Sequence, residues 1–194
     1  MAFTPRSEES RSAILDAARK RFGAEGFERT TIRAVAADAG IDPSMVMRYY
    51  GSKDGLFAAA TDVELQLPDL TTVPRSGLGE ALIRHWVELW EGDLAHESMI
   101  ILLRSSITNE AAAKRLREVF IAQVIRAVSA MVEDPKEAAT RAGLVSSQML
   151  GLALTRYVLK LPPVVAIDRE AIVAGVGPTI QRYLTGSLGH DSSG

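Results

Sequence analysis

The chain has 194 residues, 47% hydrophobic and 24% charged, with a net charge of −2. That is enough chain for one or two small domains with a sizeable core, and it excludes a disordered protein or a strongly basic coat for nucleic acid. Cysteine is absent, which excludes disulfide frameworks and zinc ribbons and fits a reducing compartment.

The opening MAFTPRSEES has no apolar stretch of the kind a secretory signal needs. A first helix is expected to start near Ser7 or Ser10, where hydroxyls can cap and early carboxylates suit the helix dipole. Its inward positions are Ile14, Ala18 and Phe22, with Leu15 beside them. Gly26 is a candidate C-cap, after which Phe27 packs back. The run Arg19–Lys20–Arg21 reads as a solvated face.

From Thr31 to Phe57 the pattern is two short amphipathic helices, a tight turn between them, and the start of a third helix. Ile32, Val35, Ala36 and Ala39 recur at i, i+3, i+4, i+7 and form one apolar stripe. Thr30 or Thr31 can cap that helix. Gly40 stands at the bend, where a left-handed conformation is needed. Asp42 and Pro43 restart a helix as N-cap and N1, since proline lacks only a donor that the first turn does not use. On the restarted helix Val46 and Tyr50 share one face, and Ser44, Met47 and Arg48 share the other. A short helix with one mixed polar face suits a major groove. Ser52 then caps a helix from Lys53, carrying Leu56, Ala60 and Val63 on one side, and its first turn with Lys53 suits a phosphate. Residues 1–57 hold nine Lys/Arg against eight Asp/Glu, whereas the remainder holds thirteen against sixteen, so the sign favours a nucleic-acid-binding head on a non-binding body.

A loop is expected from Leu67 to Gly77, and helices thereafter. Leu82, Trp86, Leu89 and Trp90 form one stripe, and MIILLRSSI is almost wholly apolar. Asn109 to Val132 reads as one helix with Leu116, Phe120, Val124 and Val128 in register. Asp134–Pro135 opens the next, Lys136 to about Lys160, which Pro162–Pro163 ends. Asp168 caps the last, closed by Tyr183, Leu184 and Gly186. The apolar run 142–161 is broken by Arg156 and several polar residues, so it reads as a buried helix and not a membrane span. No period-2 alternation of useful length occurs.

Catalytic and metal patterns are absent. His85, His96 and His190 are scattered, Gly77-Leu-Gly79 and Gly175-Val-Gly177 lack the context of a phosphate loop, and there is no nucleophile elbow. No enzyme, metal or cofactor is expected. Two patterns invite function. Ser147, Gly151 and Thr155 recur at i, i+4, i+8, and Gly175, Gly177, Pro178 and Thr179 are small residues on the last helix. Such stripes serve a partner chain or close packing within one chain. The middle helices carry Trp86, Trp90, Met99, Phe120, Met131 and Met149 with Gln123, Ser147, Gln148 and Arg156, a composition of plain core or of a ligand pocket.

The segment from about Arg11 to Leu56 resembles the DNA-binding domain of the tetracycline-repressor (TetR/AcrR) family. The resemblance is carried by ILDAARKRFGAEGFERTTI at Ile14 to Ile32, VAADAGI at Val35 to Ile41 and RYYGSKDGLF at Arg48 to Phe57. The end of the chain, about Arg141 to Gly186, resembles the second domain of an actinobacterial subgroup. The resemblance implies an all-α protein with a three-helix helix-turn-helix domain (1–58), a larger helical domain for ligand and dimerisation (59–186) and a polar tail (187–194). It implies a cytoplasmic, nucleoid-associated homodimeric repressor, released from a palindromic double-stranded DNA operator by a small, largely apolar effector. DNA contacts then fall on Thr31, Arg33, Pro43, Ser44, Met45, Met47, Arg48, Tyr49 and Lys53. Met47 departs from the family's usual tyrosine, and Ser44 and Met45 from glycine and threonine. An effector cavity would draw on Trp86, Trp90, Met99, Leu103, Phe120, Gln123, Val124, Gln148 and Leu152, and a dimer interface on Ser147, Gly151, Thr155, Gly175 and Thr179. The same fold without an effector, or a helical bundle that no longer reads DNA, are the other readings.

Overall fold

The computed structural model describes residues 5–91 and 93–188, and for residues 5, 6 and 93–96 the backbone alone. The side chain of His96, and His190 with the rest of the tail after Leu188, lie outside the described residues. Regular structure among them is helical throughout: α1 (Pro5–Arg29), α2 (Ile32–Ala39), α3 (Pro43–Tyr50), α4 (Lys53–Ala60), α5 (Leu78–Glu91), α6 (Asp93–Ser105), α7 (Glu110–Val119), α8 (Arg126–Ser129), α9 (Pro135–Ala153), α10 (Pro162–Val165) and α11 (Arg169–Thr185). Side-chain caps start many of them. Thr31, Asp42, Ser52, Asp134 and Asp168 accept from the N–H groups of Ala34, Ser44, Gly55, Lys136 and Ala171 at 3.1, 2.8, 3.0, 2.9 and 2.8 Å. Each satisfies an otherwise orphaned donor and contributes about 1 kcal/mol.

Packing divides the chain into two units. The first joins Met1–Val63 to Asp93–Arg117. Its core gathers Ile14, Ala18 and Phe22 of α1, Val35 of α2, Val46 of α3, and Leu56 and Phe57 of α4, with Ile101, Leu102 and Ala112 added. The division is thus not the sequence division at 58/59. The body's α6 lays Ile101 against Gly23 of α1, and apolar surface buried there ties the helix to the first unit. The second unit is Glu64–Gly92 and Glu118–Gly194. Its core includes Leu78 and Leu82 of α5, Val128 of α8, Ala138, Ala142 and Val145 of α9, and Ile180 and Leu184 of α11. Arg141 is buried there, held by Glu137 and donating to the carbonyls of Tyr183 and Gly186 at 2.6 and 2.9 Å, which satisfies the C-terminal end of α11.

Several boundaries differ from the sequence reading. The first helix begins at Pro5 and is broken at Gly26 (φ 78, ψ 174), a conformation that L side chains avoid, so Phe27 turns back onto Phe22 and Phe57. The fourth helix stops at Ala60, because the Thr61 hydroxyl takes the Phe57 carbonyl at 2.7 Å, and Val63 lies beyond it. The stretch 110–132 is not one uniform helix. A π-helical segment at Phe120–Ile125 slips the register, so Leu116 packs on the first core while Phe120, Val124 and Val128 serve the second. A second π segment, Leu154–Val158, follows α9, and Pro162–Pro163 open the short α10 instead of simply ending a helix.

Candidate nucleic-acid interface

The pair α2 and α3 is assembled from local chemistry. Gly40 adopts φ 65, ψ 32, and its N–H closes on the carbonyls of Ala36 and Ala37, which ends α2 and turns the chain. Ile41 N–H returns to the Ala36 carbonyl at 2.9 Å. Asp42 then caps α3 twice, accepting from the Ser44 backbone N–H at 2.8 Å and from the Ser44 hydroxyl at 2.5 Å. Those two donors, the hydroxyl first, hold the Asp42 carboxyl below the usual aspartate range.

One face of α3 is sunk in the domain. Val46 is fully buried, and Tyr50 donates its hydroxyl to the Arg11 carbonyl of α1 at 3.3 Å. Burial of Tyr50 raises its phenol above the ordinary value. The opposite face carries Pro43, Ser44, Met47 and Arg48, all exposed, with Met47 at 45%. Such a long apolar side chain left in water on a domain with space in its core marks a surface. Thr31 and Arg33 of α2 are exposed as well, and no hydrogen bond or ion pair among the described residues holds Arg33 or Arg48. Met45 and Tyr49 are half-buried, Tyr49 with its ring 6.3 Å from that of Tyr50. They are less available than the sequence alone implies.

Lys53 is committed inside the domain. Its ammonium donates to the Glu28 carbonyl at 3.1 Å and sits 4.4 Å above the Phe27 ring. The Arg19–Lys20–Arg21 run is also not simply a solvated face. Arg21 forks onto Asp38 at 2.5 and 2.9 Å and reaches Glu25, while Arg19 donates to the Ala60 carbonyl at 3.2 Å and pairs with Asp16. These arginines pin α1 to the ends of α2 and α4, and Arg21 holds Asp38 below the ordinary carboxyl range.

In the second unit, Trp86, Trp90 and Tyr157 stack together, with the Trp90 and Tyr157 rings parallel at 5.0 Å. Phe120 and Val124 pack partly buried on the second core, Gln148 and Leu152 are half-buried, and Leu103 and Met99, buried and half-buried, belong to the first unit. An open groove of about 710 Å³ lies between residues 64–70 and 122–130. Of the residues assigned to a pocket from sequence, it includes Gln123 alone. Next to it is a feature that sequence gave no sign of: the peptide groups of Leu65 are held from both sides. Its N–H donates to Gln123 Oε1 at 2.7 Å, and its carbonyl lies 2.6 Å from His85 Nε2. Both bonds span long sequence separations, which no local pattern announces. Leu65 follows closely on Val63, the last residue of the first unit in that segment.

The small-residue faces divide into two kinds. Gly177 is buried against α5, whereas Ser147, Gly151 and Gly175 are exposed, and a Cβ built at Gly151 or Gly175 would meet no atom within 4 Å. Thr155 turns its hydroxyl onto the Gly151 carbonyl at 2.7 Å, and Thr179 is half-buried. Among the described residues no group of three or more His, Asp or Glu could hold a metal ion, and no helix is long and apolar enough to cross a membrane.

A family model described as bacterial regulatory proteins of the tetR family matches residues 14–60, and one described as a tetracyclin repressor-like C-terminal domain matches residues 76–184. The chain belongs to the TetR family. It is a DNA-binding transcriptional regulator by family, not an enzyme. Among solved structures it is similar to a TetR-family regulator from Streptomyces coelicolor A3, at 30% identity over 95% of this chain and 99% of that one, with a TM-score of 0.68. NalD, the secondary repressor of the MexAB-OprM multidrug efflux pump in Pseudomonas aeruginosa, shares the fold at 18% identity (94% and 98% covered, TM-score 0.73). So does the multidrug binding protein EbrR, solved with imidazole, at 21% identity (95% and 96% covered, TM-score 0.68). No curated protein matches the chain. The family also accounts for the two matched segments, a reading head of the TetR type and a helical body.

Proposed function

We propose that this TetR-family chain is a cytoplasmic, nucleoid-associated homodimeric repressor that reads a palindromic operator and is released from it by a small, largely apolar effector. The observation that carries the reading is the outward face of α3. On a helix whose other side is fully buried, Ser44, Met47 and Arg48 stand exposed, and neither Arg48 nor the neighbouring Arg33 of α2 has an internal partner. Thr31, Arg33 and Pro43 to Tyr49 then meet base edges and phosphates, with Lys53 beside a phosphate. A single short reading helix gives little affinity, and a two-fold pair doubles the contacts while fixing half-site spacing. Exposed Ser147, Gly151 and Gly175, with open space above both glycines and Thr155 and Thr179 alongside, support a second copy as their cover. Effector control is supported by the family and by relatives of the same fold, such as EbrR, a multidrug binding protein, and SmeT, solved with triclosan.

The test is a gel shift with the DNA upstream of the chain's own coding sequence, joined to sedimentation of the free protein. Retarded DNA and a dimer support the reading. A monomer that retards no DNA overturns it, and leaves a helical bundle without a reading role. A thermal-shift screen of apolar compounds separates effector control from its absence, since a ligand bound only to the folded state raises the melting temperature.

A further inference from the structure

The Ser44 side chain sits at the centre of the outward face of α3, and its hydrogen is already used. The hydroxyl donates to Asp42 Oδ1 at 2.5 Å, the length of a charge-assisted O–H···O bond, and the same carboxylate oxygen accepts the Ser44 N–H at 2.8 Å. A serine hydroxyl has one hydrogen and two lone pairs. With the hydrogen directed back into the cap, the exposed side of Ser44 offers lone pairs alone. Major-groove edges divide by that property. Adenine N6 and cytosine N4 carry amino donors, whereas guanine O6 and N7 and thymine O4 are acceptors.

We infer that Ser44 is a specificity-determining residue that selects an amino-bearing base, adenine or cytosine, on the strand it faces and rejects guanine and thymine there. The inference rests on the DNA-reading role proposed above and adds the chemistry of one operator position. Serine elsewhere in a groove is indifferent, because it donates or accepts as the base requires. Asp42 removes that indifference here. Ser44 therefore acts with its cap as a unit, and the discrimination belongs to the pair. One neutral hydrogen bond of this kind corresponds to about three- to tenfold in relative affinity.

The experiment is selection of duplexes from a random library by the full-length protein and by Ser44→Ala and Asp42→Gly. Glycine is tolerated at an N-cap, and melting curves of both variants check that they fold. The expected result is one position per half-site that sorts adenine and cytosine against guanine and thymine by about three- to tenfold in the wild type. That sorting is lost in Ser44→Ala, and lost again in Asp42→Gly, where the freed hydroxyl donates as well as accepts. On a site with adenine there, replacing it by purine deoxyriboside, which lacks the N6 amino group, weakens the wild type by the same factor and leaves Ser44→Ala unchanged. A position that relaxes in Ser44→Ala but had preferred guanine or thymine, or had sorted purines from pyrimidines, overturns the inference while leaving DNA reading intact. So does a sorting that survives Asp42→Gly. Failure to enrich any sequence overturns the DNA-reading role itself, and the inference with it.

Discussion

Arg48 and Lys53 are both cations on the candidate interface, yet the structure predicts that replacing them by alanine separates stability from specificity. Arg48 is exposed and touches no partner, so Arg48→Ala leaves folding within about 0.5 kcal/mol. Its guanidinium is the side chain on α3 able to fork onto guanine O6 and N7, a contact worth about 1–3 kcal/mol, or roughly 5- to 150-fold between cognate and random DNA. Lys53 is the opposite case. Its ammonium closes on the Glu28 carbonyl at 3.1 Å and on the Phe27 ring at 4.4 Å. A half-exposed cation on an aromatic face contributes about 0.5–1 kcal/mol, and one at a helix C-terminus about 0.3–1 kcal/mol. Lys53→Ala therefore costs about 1–2 kcal/mol of stability, a melting temperature lower by roughly 2–8 °C. It also weakens all DNA alike and lowers the salt slope by about one. Calorimetry and fluorescence anisotropy on cognate and random duplexes across a salt series measure all four quantities. The reasoning fails if Lys53→Ala melts like the wild type, or if the two variants lose cognate and random affinity in equal proportion.

At Gly79 an added methyl would fall 2.3 Å from the Gly177 carbonyl and 2.6 Å from the Gln181 nitrogen, both backbone, so Gly79→Ala should cost about 1–3 kcal/mol in urea unfolding. Gly151→Leu, by contrast, meets open space in its own chain, and should stay folded while sedimenting as a monomer where the wild type is a dimer. In Gln123→Ala the Leu65 N–H loses its acceptor, and its amide should exchange with solvent faster than in the wild type by about a factor of ten, as hydrogen exchange measures. Asp38, Asp42, Asp69 and Glu170 have depressed folded-state pKa values, through Arg21, Ser44, Thr71 and Arg84 in turn. A depressed carboxyl contributes stability that is complete above its unfolded value and lost as pH falls through the folded one, so melting temperatures should hold down to about pH 5 and drop below about pH 4. A drop confined to neutral pH contradicts that assignment.

The parts of the fold that were legible in the sequence are those decided within a few residues. Thr31, Asp42, Ser52, Asp134 and Asp168 each cap a donor two or three positions on, and Gly40 takes the conformation that a helix-turn-helix bend requires. The two faces of α3 followed from a three- and four-residue spacing, and the burial of Val46 against the exposure of Met47 bears it out. Misreadings lie where distant residues decide. The end of α4 depends on what receives the Ala60 carbonyl, and that is Arg19, forty-one positions earlier, and Ser98. The π segments at Phe120–Ile125 and Leu154–Val158 leave apolar spacing almost unchanged while rotating everything after them, so Leu116 and Phe120 looked like neighbours on one face and serve different cores.

The same contrast explains why the reading face could be assigned residue by residue and the effector cavity could not. A DNA contact surface on an eight-residue helix is defined by what points away from one small core, and period 3.6 gives that directly. A cavity in a helical body is defined by what several helices fail to fill, so its lining depends on rotations that the π segments shift. Trp86 and Trp90 were reasonable candidates from composition, yet they are satisfied by Tyr157, a residue that lies within the second π segment and so outside any simple count from α9. The groove beside Leu65 is bounded instead by the irregular stretch 64–70, where no periodicity exists to read. Gln123 belongs to both descriptions, as a groove-lining side chain and as the acceptor for the Leu65 N–H. Any molecule that competes for its carboxamide must also release that peptide. A ligand's influence on Leu65 is therefore set by its affinity for the state in which the bond is broken relative to the state in which it is made.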